Sequence, residues 1–477
     1  MTRRLPLPFG VEYALLGGAA LALGLLAGVD PVIAVAAALS MAFALVVLID
    51  ITAGLCLFVV LIFLDQIPTL AGAAVSSSKL AGLLLAFSWL AFLATHGSRR
   101  RNFIAAHGPF TLLLVVFLGW ATLSLIWVES LADGGDSVVR YSLNVLLFLI
   151  VFTAVDTRRR ALAVSAAFVA AATLSAVYGL LAPADLQGDE ALTRFAGSVA
   201  DPNEFAALAV AALMLAASLG AAAKRSPGLR LGAIVAAGLC TASVFLTLSR
   251  GGLIALAVGL VAAVVVINRG RWVVVGVTLV VALGGLAYFT VLAPSAALER
   301  VTSVDSGSGR EDIWAVGWRM VEAHPVRGVG SGNFQRSSVH YLLQPGAIER
   351  NDFIVDTPEV AHNIYLQVLA ELGVVGLALF VAILLFSLAC ALKAALRFDA
   401  TGDRGMAMVA RGVFLALLSL LAAYFFVSEQ YSKQLWLLLG LGPSLLAVAS
   451  TGRGGPARTR GDGLRPGSAG STAAGTR

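Results

Sequence analysis

Long apolar runs follow one another along almost the whole chain, and they constrain its fold more than any other feature. Most have roughly the 17–25 residues that an α-helix needs to cross a bilayer core about 30 Å thick. Hydrophobic residues fill 59% of the 477 positions and charged residues only 13%, which is more apolar surface than a soluble globule can bury. The sequence therefore predicts an all-α fold, a polytopic transmembrane helical bundle.

The number of spans follows from the positions of these runs. About fourteen candidates can be counted, near residues 11–28, 31–49, 51–64, 79–95, 109–127, 138–155, 160–182, 203–222, 231–248, 251–268, 272–293, 362–393, 407–428 and 432–449. The run at 51–64 is short, and only Asp50 separates it from the preceding run. Residues 31–64 therefore form either separate spans or one re-entrant or broken unit, and the bundle is expected to contain about 12–14 helices.

Charge in the connecting loops predicts the orientation of the bundle. Cytoplasmic loops carry an excess of Lys and Arg, and the basic clusters here fall in alternate connections: Arg3 with Arg4, Arg99–Arg101, Arg158–Arg160, Lys224 with Arg225 and Arg230, Arg269 with Arg271, and Lys393 with Arg397, Arg404 and Arg411. Both termini are predicted to be cytoplasmic. Because these charges orient helices, the pI of about 9.5 does not indicate a nucleic-acid partner. Residues 451–477 predict a disordered cytoplasmic tail.

On the opposite, external side only two connections are long, residues 183–202 and 294–361. Within the second, residues 311–323 place apolar side chains at helical spacing and predict an amphipathic helix near the membrane interface. His324-Pro325 should end this helix, before a flexible glycine-rich turn. This loop is large enough to form a lid or small subdomain over the external end of the bundle.

Four polar motifs lie on this external side. They are Gly197-Ser198-Val199-Ala200-Asp201-Pro202-Asn203-Glu204, Ser249-Arg250-Gly251-Gly252, Gly309-Arg310-Glu311-Asp312, and His362-Asn363-Ile364-Tyr365 with Glu371-Leu372-Gly373. Together with Arg194, they place three cations and a histidine at one face of the membrane. Guanidinium groups bind phosphate oxygens bidentately. An imidazole with an ordinary pKa of about 6.5 can accept a proton from a hydroxyl near neutral pH.

In this order the motifs resemble the O-antigen ligase and O-antigen polymerase superfamily of polytopic glycosyltransferases, over residues 190–380. The resemblance implies a metal-independent inverting enzyme of a bacterial inner membrane, with its active site facing the periplasm or exterior and with no cofactor. Its partners would be membrane lipid, an undecaprenyl-diphosphate-linked glycan donor and a glycan or glycolipid acceptor. The acceptor remains open: lipid A core in lipopolysaccharide, another repeat unit, a wall polymer or a protein.

The resemblance also implies roles for single residues. Arg250 and Arg194 would hold the donor diphosphate, and His362 would act on the acceptor hydroxyl, so His362 and Arg250 are the predicted catalytic residues. The substrate-binding set is completed by Arg310, Asn203, Asn363 and Glu371. A structural role is the alternative for each of these residues, since their side chains can cap or orient helices. The rival bases in the same external loop are His324 and His340.

These assignments predict three regions: N-terminal transmembrane helices at 1–182, a catalytic membrane region at 183–450 that includes the loop 294–361, and the tail at 451–477. A lipid-linked oligosaccharide flippase and a protein O-oligosaccharyltransferase are the competing functions. Carriers often place charged groups near the bilayer midplane. Here the helix centres contain almost no ionisable residues, which favours chemistry at the surface.

Overall fold

The computed structural model describes residues 11–65, 67, 77–95, 103–181, 194–199, 201–268, 270–293, 295–302, 310–342 and 358–451. Every regular element within these ranges is helical, which confirms the all-α prediction. Other predictions lie outside the described residues, among them those for Arg3, Arg4 and Arg99–Arg101, for much of the two long external loops, and for the tail after residue 451.

The helices are numbered in chain order. The first half of the chain contains α1 (Val11–Val29), α2 (Pro31–Ile49), α3 (Ile51–Leu64), α4 (Ser77–Thr95), α5 (Phe103–Ala106), α6 (Gly108–Leu123), α7 (Leu131–Ala154), α8 (Arg158–Leu181) and α9 (Pro202–Ala222). The second half contains α10 (Pro227–Leu246), α11 (Arg250–Val266), α12 (Arg271–Ala287), α13 (Ser295–Thr302), α14 (Arg310–Ala323), α15 (Phe334–Ser338), α16 (Ile364–Ala400), α17 (Arg404–Ala423) and α18 (Lys433–Thr451).

Nine of the described helices are long and apolar enough to cross a membrane: α6 to α10, α12, and α16 to α18. Four shorter apolar helices lie within α1, α3, α4 and α11. The residues 31–64 form two helices that meet at Asp50, whose side chain accepts a hydrogen bond from the Thr52 amide at 2.8 Å and caps α3. With 14 residues, α3 is about 21 Å long and shorter than a bilayer core.

The alanine-rich helix α9 lies at the centre of the bundle and packs against α8, α10, α11 and α17. Every residue from Phe205 to Ala216 is buried. Small residues on the neighbours allow this close approach: Gly252 of α11 faces Ala206, and Gly259 faces Met214. By contrast, Gly285 is the one buried residue of α12, which leaves that helix largely exposed at the periphery.

The two ends of the bundle carry different groups. We call the end formed by residues 194–199, 201–203, 247–250 and 358–363 the upper end, and the opposite end the lower end. At the lower end Arg158 forms a 2.7 Å ion pair with Asp403, and the Arg411 Nε donates to the Val266 carbonyl at 3.2 Å. These arginines lie in, or directly follow, the connections predicted to face the cytoplasm.

The predicted amphipathic helix is α14, and it belongs to a small subdomain at the upper end. Its buried side chains Ile313, Val316 and Met320 pack with Phe334 and Ala370. The Trp314 indole donates to the Ala361 carbonyl at 2.8 Å, which fixes the helix to the start of α16. The helix ends at Ala323, as the following His-Pro pair predicts.

Helix α16 is broken at Gly373, where the sequence predicts one continuous span. The backbone there has φ 67° and ψ −173°, a conformation that is essentially confined to glycine. The segment 325–330 docks at the break and supplies backbone hydrogen bonds: Val329 N–H donates to Ala370 O at 2.9 Å and Gly330 N–H to Glu371 O at 2.8 Å, while Pro325 O accepts from Val374 N–H at 2.9 Å. The break therefore joins the subdomain to the membrane bundle.

Replacing Gly373 by Ala should destabilise this junction. A Cβ would collide with the Val326 carbonyl, and the backbone conformation alone costs about 1–3 kcal/mol for a non-glycine residue. We expect a lower midpoint of thermal unfolding in detergent, together with faster proteolysis of the upper subdomain. The matched control is Gly238→Ala in α10, where a Cβ meets nothing within 4 Å and alanine favours the helix. Equal stability of the two variants would contradict the proposed role of the break.

Candidate functional site

Arg194 is the first cation of the upper end, and two other segments hold its guanidinium group. Its Nε donates to the Thr247 carbonyl at 3.1 Å, and its Nη2 donates to Asn203 Oδ1 at 2.9 Å. These contacts connect the residues before α9 to the turn between α10 and α11. Arg194 is thus fixed beside the motif that contains Arg250.

Asn203 is the hub of this connection. Its Oδ1 also accepts from Ser249 Oγ at 2.9 Å, and its backbone N–H donates to Asp201 Oδ1 at 2.6 Å. Asp201 is therefore the N-cap of α9, as predicted. Because its side-chain oxygen already accepts two hydrogen bonds, Asn203 is suited to positioning Arg194 rather than to binding a substrate through that oxygen.

Arg250 is the first residue of α11 and is exposed at the upper end. Ser249 caps the helix by accepting from the Gly252 N–H at 3.2 Å. The two glycines after Arg250 have a packing role, because Gly251 lies against Phe426 and Gly252 against Ala206. Close packing on both sides leaves Arg250 at the surface, where a phosphate can reach it.

His362 lies just before α16 with φ 47°, a left-handed conformation that few non-glycine residues adopt. Its side chain is 23% exposed, and its Nε2 lies 3.3 Å from Glu359 Oε2. Burial lowers the pKa of His362 and the charge of Arg310 lowers it further, whereas Glu359 and Asp201 act to raise it. The imidazole is therefore mainly neutral near pH 7 and can accept a proton.

The backbone around His362 is anchored to the turn between α17 and α18. The Asn363 N–H donates to Ser428 Oγ at 3.1 Å, and the Ile364 N–H donates to the Tyr424 carbonyl at 3.0 Å. Asn363 itself is buried, and its Oδ1 caps α16 by accepting from the Tyr365 N–H at 2.9 Å. These contacts give Asn363 a positioning role beside the histidine.

Arg310 begins α14, one turn before Trp314. The Trp314 ring contacts Phe425 with a centroid distance of 5.9 Å, in addition to its hydrogen bond to Ala361. The upper subdomain thereby brings Arg310 close enough to His362 to affect its pKa. The electrostatic contact links two residues that are far apart in sequence.

A half-buried acid that the sequence analysis missed, Glu429, belongs to the same cluster. Burial raises the pKa of Glu429 well above its ordinary value, and the nearby carboxyl groups of Glu204 and Asp201 raise it further, against the opposing charge of Arg140. These surroundings therefore disfavour the charged form of Glu429. The signal in the sequence was the polar stretch 428–434 between two apolar runs, on the same side as the motifs.

A comparison with protein-family models identifies the domain that carries much of this cluster. Residues 233–381 match the O-antigen ligase family. This O-antigen ligase domain includes Arg250, Arg310 and His362, whereas Arg194 precedes it. A comparison with curated proteins found no match. The resemblance carried by the motifs is confirmed over this region, and the match supports a membrane glycosyltransferase of the O-antigen ligase or polymerase type.

Glu371 lies within the O-antigen ligase domain but has its own surroundings. It is 1% exposed, and its two carboxyl oxygens accept from the Gly332 N–H at 2.9 Å and from Gln367 Nε2 at 3.0 Å. These bonds hold the glycine-rich segment against the broken helix. The contacts favour a structural role for Glu371 over the predicted contact with substrate.

The two rival histidines of the O-antigen ligase domain lie together in a separate cavity. His324 and His340 both line it, and His340 Nε2 lies 3.1 Å from Glu129 Oε1. Arg310, by contrast, lies at the other end of α14 from His324, about 20 Å away at 1.5 Å per residue. Of the three candidate bases, His362 is the one in electrostatic contact with Arg310 and Asp201.

Proposed function

We propose that the protein transfers a glycan from a polyprenyl-diphosphate-linked donor to a hydroxyl group of a glycan or glycolipid acceptor, at the upper end of the bundle. The observation that carries the proposal is a set of contacts at the upper end: Arg194 binds Thr247 and Asn203 beside the exposed Arg250, and the charges of Arg310 and Asp201 act on His362. Fixed guanidinium groups suit a diphosphate, and a neutral imidazole suits a hydroxyl proton. Within this reading residues 183–450 form the catalytic membrane region.

The proposed step is a single displacement. The acceptor oxygen attacks the anomeric carbon, the bond from that carbon to the diphosphate oxygen breaks, and the bonding electrons leave with the polyprenyl diphosphate. The hydroxyl proton passes to His362, where Glu359 stabilises the resulting imidazolium. Arg250 and Arg194 stabilise the charge that develops on the diphosphate. Attack from the opposite face inverts the anomeric configuration, and no step requires a metal or a cofactor.

We also propose that the upper end faces the periplasm or exterior of a bacterial inner membrane. This assignment is supported by the arginines at the lower end, since an excess of positive charge is typical of cytoplasmic loops. A polyprenyl diphosphate would then be presented at the outer leaflet with its charged group level with Arg250. The N- and C-termini would be cytoplasmic.

The test is an incubation of purified protein in liposomes with a polyprenyl-diphosphate-linked oligosaccharide and separate candidate acceptors: lipid A core, a second repeat unit, a wall polymer and a hydroxyl-rich peptide. Mass spectrometry should detect free polyprenyl diphosphate together with a new glycosidic bond, and NMR of the product should show inversion. Donor that crosses the bilayer intact, without bond cleavage, would make the protein a flippase. Transfer to the peptide alone would make it a protein O-oligosaccharyltransferase.

A further inference from the structure

The polar cavity that His324 and His340 line has a volume of about 200 Å³ and lies at the upper end, between the residues after α6 and the segment 324–341. The residues that give it its chemistry are Trp127, Glu129, His324, Arg327, His340 and Tyr341. The proposed transfer step uses none of them. A concave site with aromatic walls and a few convergent polar groups is typical of small-molecule binding.

The acid in this cavity is held in place by its neighbours. Glu129 Oε1 lies 3.1 Å from His340 Nε2, and its Oε2 accepts from Ser337 Oγ at 3.2 Å. The Arg327 guanidinium group lies over the Trp127 ring at 5.8 Å from its centroid. A fixed carboxylate, an imidazole and a ring face are therefore arranged around one small space.

The Trp127 indole lines the cavity wall, but its nitrogen is buried away from the open space, and within the described part of the chain no acceptor reaches it. The ring therefore contributes an apolar surface rather than a hydrogen-bond donor. Tyr341 supplies a donor, because burial and the charge of Glu129 raise the pKa of its phenol and keep it protonated.

From this arrangement we infer that the cavity binds a sugar residue of the glycan, several units away from the bond that is made or broken. The aromatic walls suit the C–H faces of a pyranose ring, while Glu129, His340 and the Tyr341 phenol suit its hydroxyl groups. The carboxylate disfavours a phosphate, and the polar lining disfavours a lipid chain. The inference rests on the proposed function for the identity of the ligand.

The position of the cavity adds a consequence. Helix α14 has 14 residues and separates Arg310 from the cavity by about 20 Å. One monosaccharide cannot occupy both places, so an extended oligosaccharide is needed to bridge them. A subsite at this distance holds the chain while its end reacts, and it would favour longer glycans over short ones.

The experiment measures binding without turnover. The full-length protein in lipid nanodiscs is titrated, with changes in tryptophan fluorescence as the readout, against monosaccharides and linear oligosaccharides of glucose, galactose, mannose, rhamnose and N-acetylglucosamine. We expect saturable binding of at least one oligosaccharide. Glu129→Gln and Tyr341→Phe, which both keep the tryptophan reporters, should each weaken it about ten-fold, the effect of losing one hydrogen bond to a charged or buried group.

Two further variants make the result specific. Trp318→Phe removes an indole that is 54% exposed on α14, outside the cavity, and should leave binding unchanged. The double variant Arg250→Ala with His362→Ala should lose transfer and keep the binding, so a failure of the proposed function is distinguishable from a failure of this inference. An absence of saturable binding across all the sugars, or equal affinities in Glu129→Gln, Tyr341→Phe and the unaltered protein, would overturn it.

Discussion

Replacement of Arg250 by alanine should lower the rate of glycan transfer by about 10²–10³-fold, the loss typical when one donor to a developing oxyanion is removed. The effect should appear in the rate of the chemical step, because Arg250 is proposed to stabilise the charge that grows on the diphosphate as the glycosidic bond breaks. Single-turnover release of polyprenyl diphosphate from saturating donor is the measurement. Arg250→Lys should lose less, since it keeps the charge but not the bidentate geometry.

The chain offers a matched control for this experiment. Arg271 also begins an apolar helix, α12, but it lies at the lower end, where it donates to Asn268 Oδ1 at 2.9 Å. Arg271→Ala should fold and react like the unaltered protein. Full activity of Arg250→Ala would remove that residue from the mechanism, whereas an equal loss in both variants would point to insertion or folding.

Activity should fall as the pH falls through the pKa of His362, because only the neutral imidazole accepts the hydroxyl proton. Since burial and Arg310 lower that pKa, the acid limb of the kcat/KM profile should lie below the ordinary histidine value of about 6.5. Arg310→Ala removes a neighbouring positive charge and should move the limb to higher pH. His362→Ala should abolish the limb and lower transfer by about 10²–10⁴-fold.

A substitution at Glu359 should shift the acid limb in the direction opposite to the shift in Arg310→Ala. Its carboxylate lies 3.3 Å from His362 Nε2 and raises the pKa of the imidazole, so Glu359→Gln should move the acid limb to lower pH. The shifts in the Arg310 and Glu359 variants are thus expected in opposite directions from the same assay. Shifts in the same direction, or an acid limb that survives in His362→Ala, would assign the base to another group.

Several features of the fold follow from local sequence alone. The apolar runs predict the positions of the membrane spans, because an α-helix needs about 20 apolar residues to cross the bilayer core. The caps at Asp201 and Asn363 follow from residue type at the start of an apolar run. The alternation of charged loops predicts which residues share an end of the bundle, and the structure accordingly brings Arg194, Arg310 and His362 to one end.

Other features depend on contacts between distant segments and have no local signature. The break at Gly373 exists because residues 325–330 replace the hydrogen bonds of the helix, and an apolar run cannot reveal that partner. The surroundings of Glu371 also depend on a distant segment, because its carboxyl group accepts hydrogen bonds from Gly332 as well as from Gln367. Glu429 joins the cluster through burial beside Glu204, which requires two helices to pack first.

The turn that anchors His362 lies in the last part of the sequence, between α17 and α18. Residues 424–428 accept the backbone hydrogen bonds of Asn363 and Ile364, and Glu429 follows at once. A nascent polypeptide that stops short of α17 and α18 would contain all of the matched residues 233–381 and still lack the support for its histidine. On the proposed mechanism, the histidine is fully supported only after α17 and α18 have been synthesised, so incompletely synthesised copies are expected not to consume the lipid-linked donor.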